Sequence, residues 1–409
     1  MRDTPEIRFK GFDDEWQEKK LDDLGIIISG FGFPKKEQGK KEGIPFYKIS
    51  DMADPENNPI MVTASNYVGE NQISRNSWDV IDLNPSIIFA KVGAAINLNR
   101  KRLALTPFLI DNNMMSFSSS SMDGNFMLTL FENIYLPKYS QVGAIPSYND
   151  KIIGKVDVNI PDFNEQNQIG KLFARLNKLI KLKGKEIEKL EAYKNSMMEN
   201  MFPQRGEDIP RIRFNGFEKA WNYLKLKDIY SISGSGGTPS TNNKSYYGGN
   251  IPFLSISDIS EKGGRINKTE KNITKLGLNN STARIFPKNT ICLAMYASVG
   301  KVTVAGTPLA TSQAFYNMYF ENINTTKFVF QYLKYFNEIG GWIKYVSTGT
   351  QANLNAYKIK NFDIPIPSLE EQKLIGNFFY KLDKHIELKK DELEKLKEFK
   401  AALLDKMFV

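Results

Sequence analysis

The chain writes its own beginning twice. PEIRFKGFDDEW at residues 5–16 returns as PRIRFNGFEKAW at 210–221. IPFYKISDM at 44–52 returns as IPFLSISDI at 251–259, and IPDFNEQNQIGKLF at 160–173 as IPSLEEQKLIGNFF at 366–379. Met-Phe at 201–202 returns at 407–408. All four pairs sit about 205 to 207 residues apart. Matches in register along 409 residues describe two tandem copies of one plan, each long enough for one domain and an appendage. The period is far too long for a solenoid or propeller. Two copies in one chain predict a pseudo-dimer with pseudo-twofold symmetry.

Each copy closes on a helical stretch, 164–201 and 370–407. In the first, Ile169, Leu172, Leu176, Leu179, Ile187, Leu190, Met197 and Met201 recur at spacings of three, four or their sums. In the second, Ile375, Phe378, Leu382, Ile386, Leu393, Leu396, Leu403 and Met407 do the same. Lys and Glu fill the other faces. Pro161 and Pro367 precede the starts, and Pro203 stops the first helix. From 160 to 202, 19 of 43 positions are identical between the copies. Lys183 and Lys389 interrupt the stripe at equivalent sites, where a polar residue fixes register. A narrow stripe on a long helix calls for a mate of equal length, and the chain contains one. The expectation is an intramolecular antiparallel coiled coil, each rod near 55–60 Å at about 1.5 Å per residue.

Upstream of each helix lies a mixed segment. IPFYKIS, SIIFAKV, NTICLAMY and KVTVAG read as strands, and 126–132 and 327–336 as short helices. The fold class expected is α+β, with a mostly antiparallel or mixed sheet in each copy. The boundaries are 1–159 and 204–363 for the globular domains, and 160–203 and 364–409 for the helices. The two globular segments agree at their edges and differ inside, which suits modules that share a scaffold and read different things.

Chemistry of its own is hard to find. One histidine, His385, and one cysteine, Cys292, cannot build a zinc site without several acidic helpers. His385 lies in a Lys/Glu-rich helical stretch, as a surface or seam residue would. GSGGTPST at 234–241 and SVGKVT at 298–303 lack the ending of a phosphate-binding loop. ISGFGFP at 28–34 falls short of a dinucleotide fingerprint. NPSI at 84–87 lacks the second proline and aromatic of an adenine methyltransferase loop, and PDFNEQ at 161–166 lacks the lysine of a metal-dependent nuclease. The lone cysteine excludes an internal disulfide and suits the cytosol. No apolar run reaches the ~20 residues of a membrane span, and the N-terminus lacks a signal-peptide core. The net charge of +9 points to a polyanion, nucleic acid first.

On SGSGGTPSTNNKSYYGGNIPFLSISDI (233–259), STGTQANLN (347–355), IPIPSLEEQKLIGNFF (364–379) and their weaker copies, the chain resembles the specificity subunit of type I restriction–modification systems. The likeness covers essentially the whole chain. It implies two target recognition domains, each reading half of a split site in double-stranded DNA, with the coiled coil as ruler between them. It implies two modification (methyltransferase) subunits docked on the helices, using S-adenosylmethionine to methylate adenine. It implies restriction subunits that use ATP and Mg2+ to translocate and cleave DNA. This chain would bind none of these cofactors, carry no active site and work in a bacterial or archaeal cytoplasm. SGFGFPKK of the first copy departs from the Gly-Gly-Thr-Pro-Ser of the second.

Candidate DNA contacts are polar, basic or aromatic loop residues beside glycine. Lys48 and Ser50 match Ser255 and Ser257. Lys91, Arg100, Lys101 and Arg102 read as the most basic loop of the first copy, and Tyr296, Ser298 and Lys301 hold a comparable place in the second. Thr348, Gln351 and Asn353 complete the set, Gln351 and Asn353 with carboxamides able to bond adenine. Two other classes share some of these features: a stand-alone bipartite DNA-binding protein, which needs no methyltransferase partner, and a fused methyltransferase, which needs a cofactor loop.

Overall fold

In the computed structural model, residues 4–141, 145–204, 206–259, 264–346 and 353–408 are described. The chain forms two units, one of residues 1–185 with 390–409, the other of 186–389. Both long helices, Phe163–Met201 and Leu369–Met407, are therefore shared between the units.

The first unit holds a four-stranded antiparallel sheet in the order Ile26–Ser29, Met114–Ser118, Ser86–Ala90, Lys101–Ala104. A smaller sheet orders Tyr67–Val68, Ile44–Tyr47 and Leu109–Ile110, the last pair parallel. The second unit repeats this with additions. Its larger sheet runs Ile232–Ser235, Phe315–Tyr319, Ile291–Ala294, Val302–Ala305, Gly264–Ile266. Its smaller one runs Lys271–Ile273, Tyr247–Leu254, Leu309–Thr311, Ile285–Phe286. The class is α+β with mixed sheets, as the sequence predicts.

The central strands read as unbroken apolar runs because both faces are covered. In Ser86–Ala90, Ile87 and Phe89 join the core under the helix Gly124–Asn133, while Ile88 joins a separate core with Met52 and Phe108. The period of two along a strand makes this division. Ile291 and Leu293 repeat the first role under the helix Ile323–Glu338, and Cys292 and Ala294 the second. Cys292 is thus a small core residue, its thiol pushed up by burial and inert as a nucleophile.

The repeated motifs meet each other in space. Arg8 of IRF grips the carboxylate of Glu165 through Nε and Nη2 at 2.7 and 2.8 Å, and Arg213 grips Glu371 at 2.9 and 2.8 Å. Glu165 and Glu371 are buried in the first turns of the long helices, where the helix dipole favours an anion. The neighbouring Gln166 and Gln372 donate to the carbonyls of Pro161 and Pro367 at 3.0 and 2.9 Å. Trp221 packs edge-on against Phe202 of the Met-Phe pair that closes the first helix, and Trp16 against Phe408. The Ile212 amide donates to the Asn200 carbonyl at 2.9 Å, and the Ile7 amide to that of Lys406 at 3.1 Å. In the second unit the start motif follows the helix covalently. In the first, the N-terminal segment sits on the end of the C-terminal helix in the same way.

The long helices pair antiparallel. In the first unit Ile169, Phe173 and Leu176 share a core with Leu396, Leu403, Met407 and Phe408. In the second Met197, Met198, Met201 and Phe202 share one with Ile375, Phe378 and Phe379. Lys183 meets Glu392 at 2.6 Å in the first unit, and Lys389 meets Glu186 at 3.2 Å in the second. These pairs occupy equivalent positions, so the same contact is made twice.

The expected seam needs one correction. Ile169, Leu176, Ile187, Ile375 and Ile386 are buried, and Leu172, Leu190, Met197, Phe378, Leu382, Leu393, Leu396 and Leu403 half-buried, but Leu179 is 43% exposed. The buried line on the first helix runs 169, 173, 176, 187, 194, 198, 201, built from steps of four and three. Reading it through 172 and 179 slips one position. The same slip missed Phe173, Phe379 and Met198, which also pack on their own domains.

Gly170 and Gly376 have a packing reason. A Cβ on Gly170 would lie 2.3 Å from Asp123 Oδ1 and 2.7 Å from the Phe126 nitrogen. Asp123 Oδ1 caps the helix Gly124–Asn133 by accepting from the amides of Asn125 and Phe126. Gly170→Ala gains up to ~1 kcal/mol of helix propensity. It loses about 1–3 kcal/mol to overpacking, and part of a cap worth about 1 kcal/mol. The expected net result is destabilisation by about 1–2 kcal/mol in urea unfolding. A stabilised variant would show that the helices separate freely here.

Candidate nucleic-acid interface

Four chain segments line up at one end of the sheets in each unit, joined by backbone hydrogen bonds. In the first, Asp111 N donates to Tyr47 O at 3.0 Å, Lys91 N to Asn113 O at 2.9 Å, and Tyr148 N to Lys91 O at 3.2 Å. Met114 N donates to Asp111 O at 3.0 Å and closes a turn over Asn112 and Asn113. In the second, Ser312 N donates to Leu254 O at 2.9 Å, Met295 N to Ala314 O at 2.7 Å, and Leu354 N to Met295 O at 3.0 Å. Phe315 N closes the matching turn on Ser312 O at 3.2 Å. The frame is one; the side chains hung on it differ.

A fifth segment presses on this row. Gly30 lies so close that a Cβ would sit 2.0 Å from Asp111 O; at Gly236 a Cβ would sit 2.1 Å from Thr311 O. Here SGFGFP and SGGTPS diverge. Phe31 and Phe33 turn inward onto Phe46 and Trp78, Phe33 stacked on Phe46 at 3.7 Å. The second copy instead brings the hydroxyl of Thr238 onto Gln313 Oε1.

The candidate contacts fall into three groups. Near the row are Lys48, Ser50, Lys91, Ser255, Ser257, Tyr296, Ser298, Lys301 and Asn353. Several are already engaged: Lys48 Nζ donates to Gln38 Oε1 at 3.2 Å, Ser255 Oγ to Asp258 at 2.7 Å, and Ser257 Oγ to Glu270 at 2.9 Å. The aspartate repeated in KISD and SISD is structural. Asp51 accepts from the Lys48 amide at 2.8 Å and Asp258 from the Ser255 amide at 2.7 Å. Tyr296 stands 40% exposed. Thr348 and Gln351 lie outside the described residues.

The third group requires correction. Residues 101 and 102 are not in a loop but begin the edge strand Lys101–Ala104. Lys101 faces inward with Leu103, is 4% exposed, and donates to Ile134 O at 2.6 Å. That carbonyl ends the helix Gly124–Asn133, where a cation complements the dipole. Lys101 is therefore a core residue, contrary to its expected place among the DNA contacts. Half-buried Arg102 spends its guanidinium on the carbonyls of Lys101 and Met52 at 2.8 and 2.9 Å; Arg100 is half-buried.

Burial pulls the Lys101 ammonium down to about 7, against a smaller pull upward from Glu132. The folded chain gives up this proton near pH 7; the unfolded chain holds it to about 10.4. Between those values the unfolded state binds more protons, so stability rises with pH. Replacing Lys101 with methionine is expected to flatten the rise between about pH 7 and 9 in urea unfolding. An unchanged slope would mean that the ammonium stays charged in the core.

Behind the frame, each unit ties its short helix to a long one by charge. In the first, Lys400 bonds Glu132 at 2.6 Å. In the second, Lys334 stands near the place of Glu132, and Asp383 serves both Lys194, at 2.6 Å, and Lys334, at 3.7 Å. Burial pushes Asp383 up, but the two lysines outweigh it and hold its carboxyl down.

No group of three or more His, Cys, Asp or Glu side chains is placed to hold a metal among the described residues, and no helix there is long and apolar enough to cross a membrane. His385 is exposed on the second long helix.

A duplicated α+β unit on a shared pair of helices defines a class. Residues 13–192 and 218–398 each match the family described as "Type I restriction modification DNA specificity domain". The chain belongs to that family, whose members are the DNA-specificity subunits of type I restriction enzymes. It is similar to the MjaIX specificity subunit of Methanocaldococcus jannaschii, 35% identical over 193 residues, covering 47% of this chain and 44% of the relative. The HindI specificity subunit of Haemophilus influenzae is 28% identical over 179 residues, 42% of this chain and 38% of the relative. The aligned stretch thus spans less than half of each of these two relatives. The MjaX specificity subunit of M. jannaschii aligns over 96% of this chain and 92% of its own length, at 23% identity. Among solved structures, the S subunit of a type I restriction-modification system from M. genitalium shares the fold. Its TM-score is 0.63 at 15% identity, with 99% of both chains covered. A chain from a study of complex assembly and conformational transition in a type I system has a TM-score of 0.55 at 16% identity.

Proposed function

We propose that this chain reads a bipartite site in double-stranded DNA, one unit to each half-site, and recruits the enzymes that act there. The observation that carries this reading is the loop row: one hydrogen-bonded frame built twice, with different exposed side chains in each copy. Identical frames suit two half-sites approached in the same geometry, and unlike side chains suit different sequences. Lysines around the row supply phosphate contacts and affinity; sequence is read by the neutral polar side chains. The helices common to both units set the separation of the half-sites.

The chemistry lies in partners. Two modification subunits, carrying S-adenosylmethionine, dock on the chain and methylate adenine. Restriction subunits, using ATP and Mg2+, translocate and cleave the duplex. The chain itself holds no cofactor and acts in the cytoplasm of its cell. Mapping methylated adenine genome-wide, with and without this gene, tests the reading. A split motif present only with the gene is the expected outcome. A methylome indifferent to the gene, and a chain that purifies without a methyltransferase, would leave a DNA-binding protein that works alone.

A further inference from the structure

The turn at the centre of each loop row carries an exposed carboxamide at the first of its two enclosed positions: Asn112 in the first unit and Gln313 in the second. They are equivalent by structure. Each follows by two residues a strand paired in parallel with the strand before the Ile-Ser-Asp motif, Tyr47 with Ile110 and Leu254 with Thr311. Each is the first of two residues enclosed by the closing hydrogen bond, Met114 N to Asp111 O and Phe315 N to Ser312 O. Each turn is anchored by buried residues, Asp111 and Met114 in the first unit and Thr311 and Phe315 in the second; Asn113 is exposed as well, but its backbone and side-chain amides both donate to the Asp111 carboxylate. The row therefore offers an amide on a rigid pedestal twice, at the same place.

We propose that Asn112 and Gln313 are base-reading residues, each selecting adenine at one position of its half-site; the proposal rests on the reading of this chain as a DNA reader. A carboxamide has a donor and an acceptor side by side. That pair matches the N7 acceptor and the N6 donor of adenine in the major groove, and no other base offers the same pair there. In the second unit Thr238 donates its hydroxyl to Gln313 Oε1, which orients the amide and leaves that oxygen a second lone pair for the adenine amino group. In the first unit the place of Thr238 falls to Gly32, whose Cβ position meets nothing within 4 Å. Asn112 thus has open space where Gln313 has a positioning hydroxyl, and its shorter side chain has less freedom to fix. Thr238 is a positioning residue; the amides are the readers. Neither amide belongs to a stretch repeated between the copies.

The test uses the full-length chain on a pool of randomised duplexes, with bound sequences read out for wild type and variants. Wild type is expected to enrich a split motif. Gln313→Ala is expected to relax one adenine in one half-site by about tenfold or more, and Asn112→Ala one adenine in the other. Gln313→Glu keeps the acceptor and loses the donor, so its preference is expected to move from adenine toward cytosine, whose amino group donates. The untouched half-site reports that each variant is folded. A uniform loss across all sequences, or the wild-type motif returned by all three variants, overturns the proposal while the chain remains a DNA reader. If wild type enriches nothing, the DNA-reading function falls, and the assignment of the amides with it.

Discussion

Replacing Glu371 with alanine is expected to remove about 3–5 kcal/mol from the stability of the fold, the cost of stranding one charge of a buried pair. Arg213 holds Glu371 with two short hydrogen bonds, and the carboxylate is 1% exposed. Removal of the carboxylate leaves a largely buried guanidinium without the partner that takes two of its hydrogen bonds. The wild-type pair itself is worth far less, because desolvating both ions offsets most of their attraction. The double change Arg213→Met with Glu371→Leu is therefore expected to recover most of the loss. Urea unfolding of the three proteins gives the answer. A loss below ~1 kcal/mol for the single variant would show that the site admits water and acts as a surface pair. The equivalent Glu165→Ala is expected to behave alike, since Arg8 repeats the grip on a carboxylate with no exposed area.

Adding one heptad to both long helices, between residues 185 and 186 and between 389 and 390, is expected to move the preferred DNA spacer to a longer value. Seven residues keep the seam in register and lengthen each rod by about 10.5 Å. At ~3.4 Å per base pair that is about three base pairs. Those base pairs also turn the duplex by roughly 100°, so one heptad restores separation without restoring phase. Affinity at the new optimum is therefore expected to fall below that of wild type. Binding to a series of duplexes differing only in spacer measures both effects. An optimum that stays put would mean that the helices do not set the distance. Four residues added to one helix alone would instead put the pairs Lys183–Glu392 and Lys389–Glu186 out of register with each other, so that straight helices cannot form both, and weaken binding to every spacer.

The sequence displayed some of this directly. The motifs repeated at a fixed offset are those that hold each unit together: IRF with its arginine, the Glu-Gln at each helix start, the close-packed glycine, the final Met-Phe. The stripe on each long helix gave the pairing but not the line, because half-buried Leu172 and exposed Leu179 look apolar like the buried Phe173 and Leu176 beside them. Lys101 was misleading for a related reason. Three consecutive basic residues look like a loop, yet strand alternation sends the middle one into the core, where the carbonyl that ends a helix 33 residues later gives it a partner. Asn112 and Gln313 had no sequence signal at all. They sit in unrelated local sequences, and only the strand pairings place them at the same turn.

Duplication, the lengths of the helices and the α+β class were therefore determined by the sequence, because each is a matter of period or residue type along the chain. Which halves of the helices join which globular part, which charges are buried, and which side chains stand together on the loop row were decided by the tertiary structure. Those depend on contacts such as Arg8 with Glu165, 157 residues apart, and on which face of a strand a residue takes. No local pattern encodes either.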